Sequence, residues 1–379
     1  MQKIIFIIAI ICFSCKNVVP KPGFNEMNTK DLKLEYAKGF SVSDLGVYKV
    51  ITIHSPWPES KTSHSYVVIH KDSLPKITLN PNDYSGIIEL PIKKIVVTST
   101  THLPALELLS VNNTLVGFPG LDYISSKKIR KQINANNIKE LGKNEVINTE
   151  ILLSLNPDVV VGFGIDGGNR AYETIKKSGI PVIFNGDWVE SSPLAKAEWI
   201  KFFGVLYDKN AQADSIFKMI KTNYLEVKQL ANHVKSMPRV LSGAMHNDIW
   251  YLPNGASTEA QLLKDANVNY LWNDTKGAGS LKLSFESVFI KAKNAEIWLS
   301  PSNYNSLKNL KKGSEHHALF DAFRNKNVYS FTNTTGDTGG ILYFELGMTR
   351  PDIVLKDLIK ISHPELLKNH ELYFFKRLE

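Results

Sequence analysis

One phrase occurs twice in this chain, and its repetition limits the fold more than any other feature. The first copy runs Val146-Ile147-Asn148-Thr149-Glu150-Ile151-Leu152-Leu153 and continues to Val159-Val160-Val161. The second runs Leu283-Ser284-Phe285-Glu286-Ser287-Val288-Phe289 and continues to Ile297-Trp298-Leu299. In both, a hydroxyl residue stands one or two positions ahead of a glutamate, apolar residues follow at helical spacing, and a β-branched or aromatic run then begins. Each copy predicts a capped helix running into a buried strand. One copy per half of the chain predicts two similar lobes, and lobes that face each other enclose something.

At 379 residues the chain exceeds one ordinary core and suits two α/β lobes with additions. A content of 43% hydrophobic and 22% charged residues is that of a folded globular protein. The formal charge of +8 comes mainly from dispersed lysines, since arginine occurs only at Arg130, Arg170, Arg239, Arg324, Arg350 and Arg377. Nucleic-acid surfaces favour arginine clusters with interleaved aromatics, so the lysines read as a solvated face and no nucleic-acid partner is expected. The start, Met1-Gln2-Lys3 followed by apolar Ile4 to Ile11, is too short to span a bilayer and fits an export signal. It ends in Cys12-Phe13-Ser14-Cys15, which resembles a lipoprotein signal, with Cys15 lipidated and the chain held to a membrane by that anchor. With Cys15 so used, the mature chain has no free thiol for disulfide, metal or nucleophile chemistry.

Residues 16–30 are polar and proline-containing, as in a tether. The next stretch reads as strands, with Tyr48 to Ile53 and Ser65 to Ile69 separated by the turn residues Ser55-Pro56-Trp57-Pro58. A few short strands seldom stand alone, so a β extension packed on the first lobe is expected. A βα rhythm begins at Lys94 and runs to Phe184, which implies a mainly parallel, doubly wound sheet. A long helical stretch follows from Pro193 to Val234, with a break near Tyr207-Asp208 and apolar positions at Trp199, Phe202, Phe203, Leu206, Ile216, Met219, Ile220 and Leu225. The βα rhythm restarts at Arg239. The expected organisation is a signal peptide at 1–15, a tether at 16–30, a β extension at 31–91, an N-terminal lobe at 92–207, a bridging helix at 208–237 and a C-terminal lobe at 238–379.

This order, with a glutamate phrase in each lobe, resembles the ABC-transporter substrate-binding proteins that carry ferric siderophores, haem or cobalamin. The resemblance covers roughly Ile92 to Leu366 and includes the ending Met348-Thr349-Arg350-Pro351-Asp352 through His363-Pro364-Glu365-Leu366. It implies two lobes joined by one rigid helix and an inner-membrane ABC permease as partner; the anchor at Cys15 implies export, a monomer without resident cofactor or metal is expected, and catalysis is not, since Ser99, Ser242 and Ser300 lack any nucleophile-elbow context and no carboxylate pair is singled out. The resemblance also implies that Glu150 and Glu286 meet arginines of that permease. A carboxylate held in the first turn of a capped helix suits this role, being rigid and open to a bidentate guanidinium.

Ligands of doubly wound lobes meet the loops at the carboxyl ends of the strands. From those loops we select His102, Phe118, Tyr123, Phe163, Trp188, His246, Trp250, Tyr251, Tyr304 and Tyr343 as ligand-facing candidates. Their aromatic and polar character suits a large, flat, partly apolar ligand. Only Arg170 and Arg350 fall near these loops, which disfavours highly anionic catecholates and favours a corrinoid or a near-neutral iron chelate. Haem remains open through an axial tyrosine or histidine. Two other classes compete. Gly162-Phe163-Gly164-Ile165-Asp166-Gly167, with Asp187 beyond it, formally matches a nicotinamide-binding turn of an oxidoreductase. A zinc- or manganese-binding lipoprotein would draw on histidines such as His54, His64, His316 and His317, although none shows ligand spacing.

Overall fold

The computed structural model describes residues 31–379, apart from 165 and 167. The signal peptide, Cys15 and the tether expected at 16–30 lie outside the described residues. The β extension forms a four-stranded sheet in chain order, Phe40–Asp44, Tyr48–Ile53, His64–His70 and Gly86–Leu90. The first three strands are antiparallel and the fourth runs parallel to the third. Its inward residues Ile51, Ile53, Tyr66, Val68 and Ile88 share one hydrophobic core with Ile95, Val97, Leu106 and Phe202 of the first lobe. The extension is thus a third layer of that lobe, because a small sheet gains stability only by burying its apolar face.

Five parallel strands make the N-terminal sheet, in the order Val182–Phe184, Val159–Gly162, Ile95–Val97, Leu115–Phe118 and Lys139–Glu140. Its central strands read as unbroken apolar runs because both faces are covered. Ile95, Val97, Val159 and Val161 face the core shared with the extension, while Val96, Val160 and Val182 face Leu152, Tyr172 and Ile175. The C-terminal sheet runs Asn269–Tyr270, Arg239–Ser242, Ile297–Leu299, Val328–Ser330 and Lys376–Arg377, the last strand antiparallel. Beside it stands a three-stranded antiparallel sheet of Ala244–His246, Ile249–Pro253 and Ser280–Ser284.

Between the lobes the expected helical run is three helices, Pro193–Glu198, Ile200–Leu206 and Asn210–Asn232. The second break falls where Asp208 adopts φ 53°, a left-handed conformation that ends a helix. The last helix, ~34 Å long at 1.5 Å per residue, buries Ala213, Phe217, Ile220, Tyr224, Val227 and Ala231. Ala213, Phe217 and Ile220 belong to the N-terminal core, and Tyr224, Val227 and Ala231 to the C-terminal core. One stripe therefore serves two cores. Met219 and Leu225, expected on the apolar face, are 46% and 43% exposed because they lie off this stripe.

Two further straps cross the bridge. Glu198, fully buried, accepts the backbone N–H groups of Glu35, Tyr36 and Ala37 at 2.9, 2.7 and 2.9 Å and pairs with Lys201 at 2.9 Å. Glu190 accepts those of Lys38 and Gly39 at 2.9 and 2.7 Å. The second strap is an arm of the C-terminal lobe, a tight turn around Thr335–Ile341 followed by the helix Leu342–Leu346. It docks on the N-terminal lobe: Thr338 donates to the Asp122 carbonyl at 2.9 Å, Ser125 Oγ to the Gly340 carbonyl at 2.8 Å, and Ser125 N–H to the Glu345 carboxylate at 2.5 Å. A Cβ at Gly340 would stand 2.2 Å from the Tyr123 carbonyl oxygen, so only glycine permits this approach.

Candidate functional site

In an open α/β sheet the strand order reverses at a switch point, and the carboxyl ends there diverge to leave a crevice. The N-terminal sheet reverses between Ile95–Val97 and Val159–Gly162, and Thr98, Ser99 and Phe163 at their ends line a cavity of about 890 Å³. The C-terminal sheet reverses between Arg239–Ser242 and Ile297–Leu299, and Ser242, Gly243 and Ser300 line another of about 330 Å³. Gly243, at φ 77°, is required there because a Cβ would fall 1.8 Å from the Tyr251 carbonyl oxygen. Phe344, on the interlobe arm, borders both cavities and a smaller one of about 90 Å³ between them. The two switch points thus open onto one interlobe cleft whose floor is the arm. The sequence reading missed Phe344, because nothing local marks residues 332–346 as crossing between lobes.

Acidic side chains dominate the charged lining. Asp122, Glu140, Glu145 and Glu259 border the three cavities, against Lys143 and Lys196, and among the described residues no arginine borders them. Glu140 is already engaged by the N–H groups of Gly120, Leu121 and Gly142, each at 2.8 Å, which fixes the loop at the cleft edge. Arg350 forms a bidentate pair with buried Asp352 at 2.9 and 2.8 Å, and Arg170 is exposed at the start of the helix Arg170–Lys177.

Of the ten ligand-facing candidates, Phe118, Tyr123, Phe163, Tyr251 and Tyr343 border the cleft cavities. Tyr123 is 71% exposed, and Tyr343 stacks on Phe331 at 4.2 Å. Burial drives the Tyr343 hydroxyl far above its ordinary range, so it stays protonated. Trp188 lies behind Phe163, with ring centres 5.5 Å apart and its indole N–H buried without a partner. Four candidates stand elsewhere. His102 is fully buried against Phe203, and desolvation pushes its imidazole down to about 3. Trp250 is fully buried between Trp298 and Phe320, its N–H donating to the Ser242 carbonyl at 3.0 Å, so it is a core residue. His246 is exposed at a hairpin tip, and Tyr304 packs on His317. Period and loop position could not separate these, since a strand inside a hairpin sends alternate residues into the core.

Glu150 and Glu286 are both exposed second residues of short helices, Thr149–Leu155 and Phe285–Ala292. The caps are Asn148, accepting from Ile151 N–H at 3.0 Å, and Ser284, accepting from Ser287 N–H at 3.3 Å. In the first copy the cap is therefore the asparagine, not Thr149. Its own backbone N–H and the Ser284 hydroxyl hold the Glu286 carboxyl below its ordinary range. The first helix follows a hairpin of Gly142–Lys143 and Val146–Ile147 that borders the cleft from Gly142 to Glu145, and the second follows the strand Ser280–Ser284, which borders it at Ser280.

The competing motifs fare differently. The glycine-rich turn leads to a helix capped by Asn169, but Asp187 is buried and desolvation pushes its carboxyl up to about 6, so it presents no ribose acceptor. His316 is exposed against Phe285, whereas His317 is buried with Nδ1 2.8 Å from the Leu310 carbonyl. Among the described residues no cluster of three or more histidine, cysteine or carboxylate groups is placed to hold a metal, and no helix is long and apolar enough to cross a membrane.

Two doubly wound lobes, one bridging helix and a cleft between facing switch points define a two-lobed binding protein. The chain belongs to the periplasmic binding protein family, whose model matches residues 95–335. An uncharacterized lipoprotein of Methanocaldococcus jannaschii, MJ0878, is 26% identical over 302 residues, covering 77% of this chain and 70% of that one. Among solved structures, a possible iron-binding periplasmic solute-binding protein of Staphylococcus epidermidis matches with TM-score 0.57 and 18% identity, covering 72% of this chain and 99% of its own. A periplasmic haem-binding protein of Pseudomonas aeruginosa matches with TM-score 0.58 and 14% identity, covering 76% and 98%. These structures share the fold, including the N-terminal and C-terminal lobes.

Proposed function

We propose that this protein is the exported, lipid-anchored binding component of an ABC importer, which captures an iron chelate, a corrinoid or haem in the interlobe cleft and delivers it to an inner-membrane permease. The observation that carries this reading is the pair of switch-point cavities opening onto a single cleft bordered by Phe118, Tyr123, Phe163, Tyr251, Tyr343 and Phe344. Aromatic faces of this number suit a flat, partly apolar ligand. The excess of carboxylates and the absence of arginine from the cavity lining favour a neutral or cationic ligand, a corrinoid or ferric hydroxamate, over a catecholate. The haem- and iron-binding descriptions of the Pseudomonas and Staphylococcus proteins agree with the broad class. The lipoprotein description of the Methanocaldococcus relative agrees with an anchor at Cys15.

Titrating the purified protein with cobalamin, a ferric hydroxamate, a ferric catecholate and haem tests this reading. Binding of the neutral or cationic members is expected, and binding of none of the four refutes it. Delivery is assigned to Glu150 and Glu286. Reversing both charges is expected to leave ligand affinity intact while uptake falls; unchanged uptake would falsify the docking assignment.

A further inference from the structure

The C-terminal cavity is narrower than the N-terminal one and has fewer charged side chains on its border. Its inner wall is hydrocarbon, formed by Leu263, Val354, Leu358 and Phe375, all buried. Polar groups occur toward the strand ends, at Ser242 and Ser300, and the cavity meets the cleft at Tyr343 and Phe344. At about 330 Å³ it far exceeds the voids that close-packed interiors leave by chance. It lies at the lower end of the range of about 300–1,000 Å³ usual for small-molecule pockets. It is too small for a whole iron chelate or corrinoid, and its apolar depth has no partners for their polar groups.

We propose that this cavity is a separate subsite that takes a hydrocarbon arm of the cleft's ligand, an acyl chain or comparable apolar group, while the ligand's polar body stays in the N-terminal cavity. The inference rests on reading the cleft as the ligand site. Continuity supports it: Phe344 borders both cavities, so an arm passing that ring leaves the wide chamber with several charged side chains for the narrow one with a hydrocarbon depth. Electrostatics agrees, because Asp122, Glu140, Lys143 and Glu145 border the N-terminal chamber, whereas among the described residues Glu259 is the only charged side chain bordering the apolar one. The subsite selects among ligands with similar polar centres by the length of what they carry.

Calorimetric titration of the full mature chain with 1-butanol, 1-hexanol and 1-octanol tests the subsite apart from the identity of the polar body. Affinity is expected to rise about fourfold per methylene, roughly 200-fold from butanol to octanol, at about 0.8 kcal/mol for each buried CH₂. Filling the depth with Val354→Phe, or independently with Leu262→Phe should the first fail to fold, is expected to lower octanol affinity at least about tenfold. Ferric acetohydroxamate and ferric octanohydroxamate supply the second arm. The octanoyl complex is expected to bind more tightly than the acetyl complex in the parent protein and equally in the filled variants. A flat alkanol series, or filled and folded variants that bind octanol like the parent, overturns the subsite. If octanol behaves as expected and neither ferric complex binds, the subsite stands and the hydroxamate reading of the cleft fails.

Discussion

Replacing Glu345 by glutamine is expected to stabilise the protein in alkaline solution and to change little in acid. The carboxyl comes from the interlobe arm and is 3% exposed, with Ser125 N–H donating to it at 2.5 Å. Burial, reinforced by the nearby Glu107 carboxylate, pushes it up from its ordinary 4.5 to about 7. The folded protein therefore holds this proton more tightly than the unfolded chain does. Between about pH 4.5 and 7 the folded state binds more protons, so stability falls as pH rises and the loss is complete above the folded value. The interval corresponds to ~3 kcal/mol, at about 1.36 kcal/mol for each tenfold in proton affinity. Glutamine keeps a neutral oxygen for Ser125 and has nothing to titrate. Glu345→Gln should thus exceed the parent by up to ~3 kcal/mol near pH 8 and match it near pH 4.5. Asp187, raised to about 6, adds a dependence of the same sign to both proteins and cancels in the difference. Urea unfolding of both proteins, followed by tryptophan fluorescence from acid to alkaline pH, measures that difference. Parallel stability profiles across the range would refute the reasoning, since they would mean the arm's carboxyl titrates as if in water.

Three other substitutions separate binding from folding. Phe344→Ala, at a ring half exposed to the cleft, should weaken ligand binding by about tenfold, a loss of ~1.4 kcal/mol, with the melting temperature little changed; unaltered affinity for every ligand in the panel would remove Phe344 from the site. Glu198→Ala strips three backbone N–H groups of their acceptor and leaves buried Lys201 with only Asp214 at 3.3 Å and the Lys33 carbonyl at 3.2 Å, and should cost ~3–5 kcal/mol in urea unfolding; a loss below ~1 kcal/mol would show that water replaces the carboxylate. Trp250→Ala should cost ~3–5 kcal/mol of stability because the ring fills the C-terminal core, and a clean loss of binding at full stability would return it to the cleft.

The architecture was largely legible because buried strands and capped helices carry local signals. Val159-Val160-Val161 and Ile297-Trp298-Leu299 read as strands covered on both faces, and both lie inside their sheets with a neighbour on each edge. The bridge was legible in outline, yet its inward stripe was misread at Met219 and Leu225, since an amphipathic pattern shared between two cores is diluted by lysines that pair at the surface. The cleft was legible only in part. Phe118 and Phe163 stand at strand ends, Tyr251 within a strand, Tyr123 in a short turn and Tyr343 in a short helix, and all reach the cleft, while His102 and Trp250 have the same residue chemistry and face inward. What decides between them is long-range: the docking of residues 335–346 on Asp122 and Ser125, some two hundred positions earlier, leaves no trace in either segment alone.

That docking also orders events in time. The N-terminal lobe and its cavity wall are encoded well before Phe344, and the arm arrives near the end of the chain. A nascent or truncated product that stops short of residue 332 holds one wall of the cleft and much of the C-terminal core, but no floor between them. If the cleft is the binding site proposed above, a chain ending before residue 332 lacks the floor that joins its two cavities, and binding waits on synthesis almost to completion.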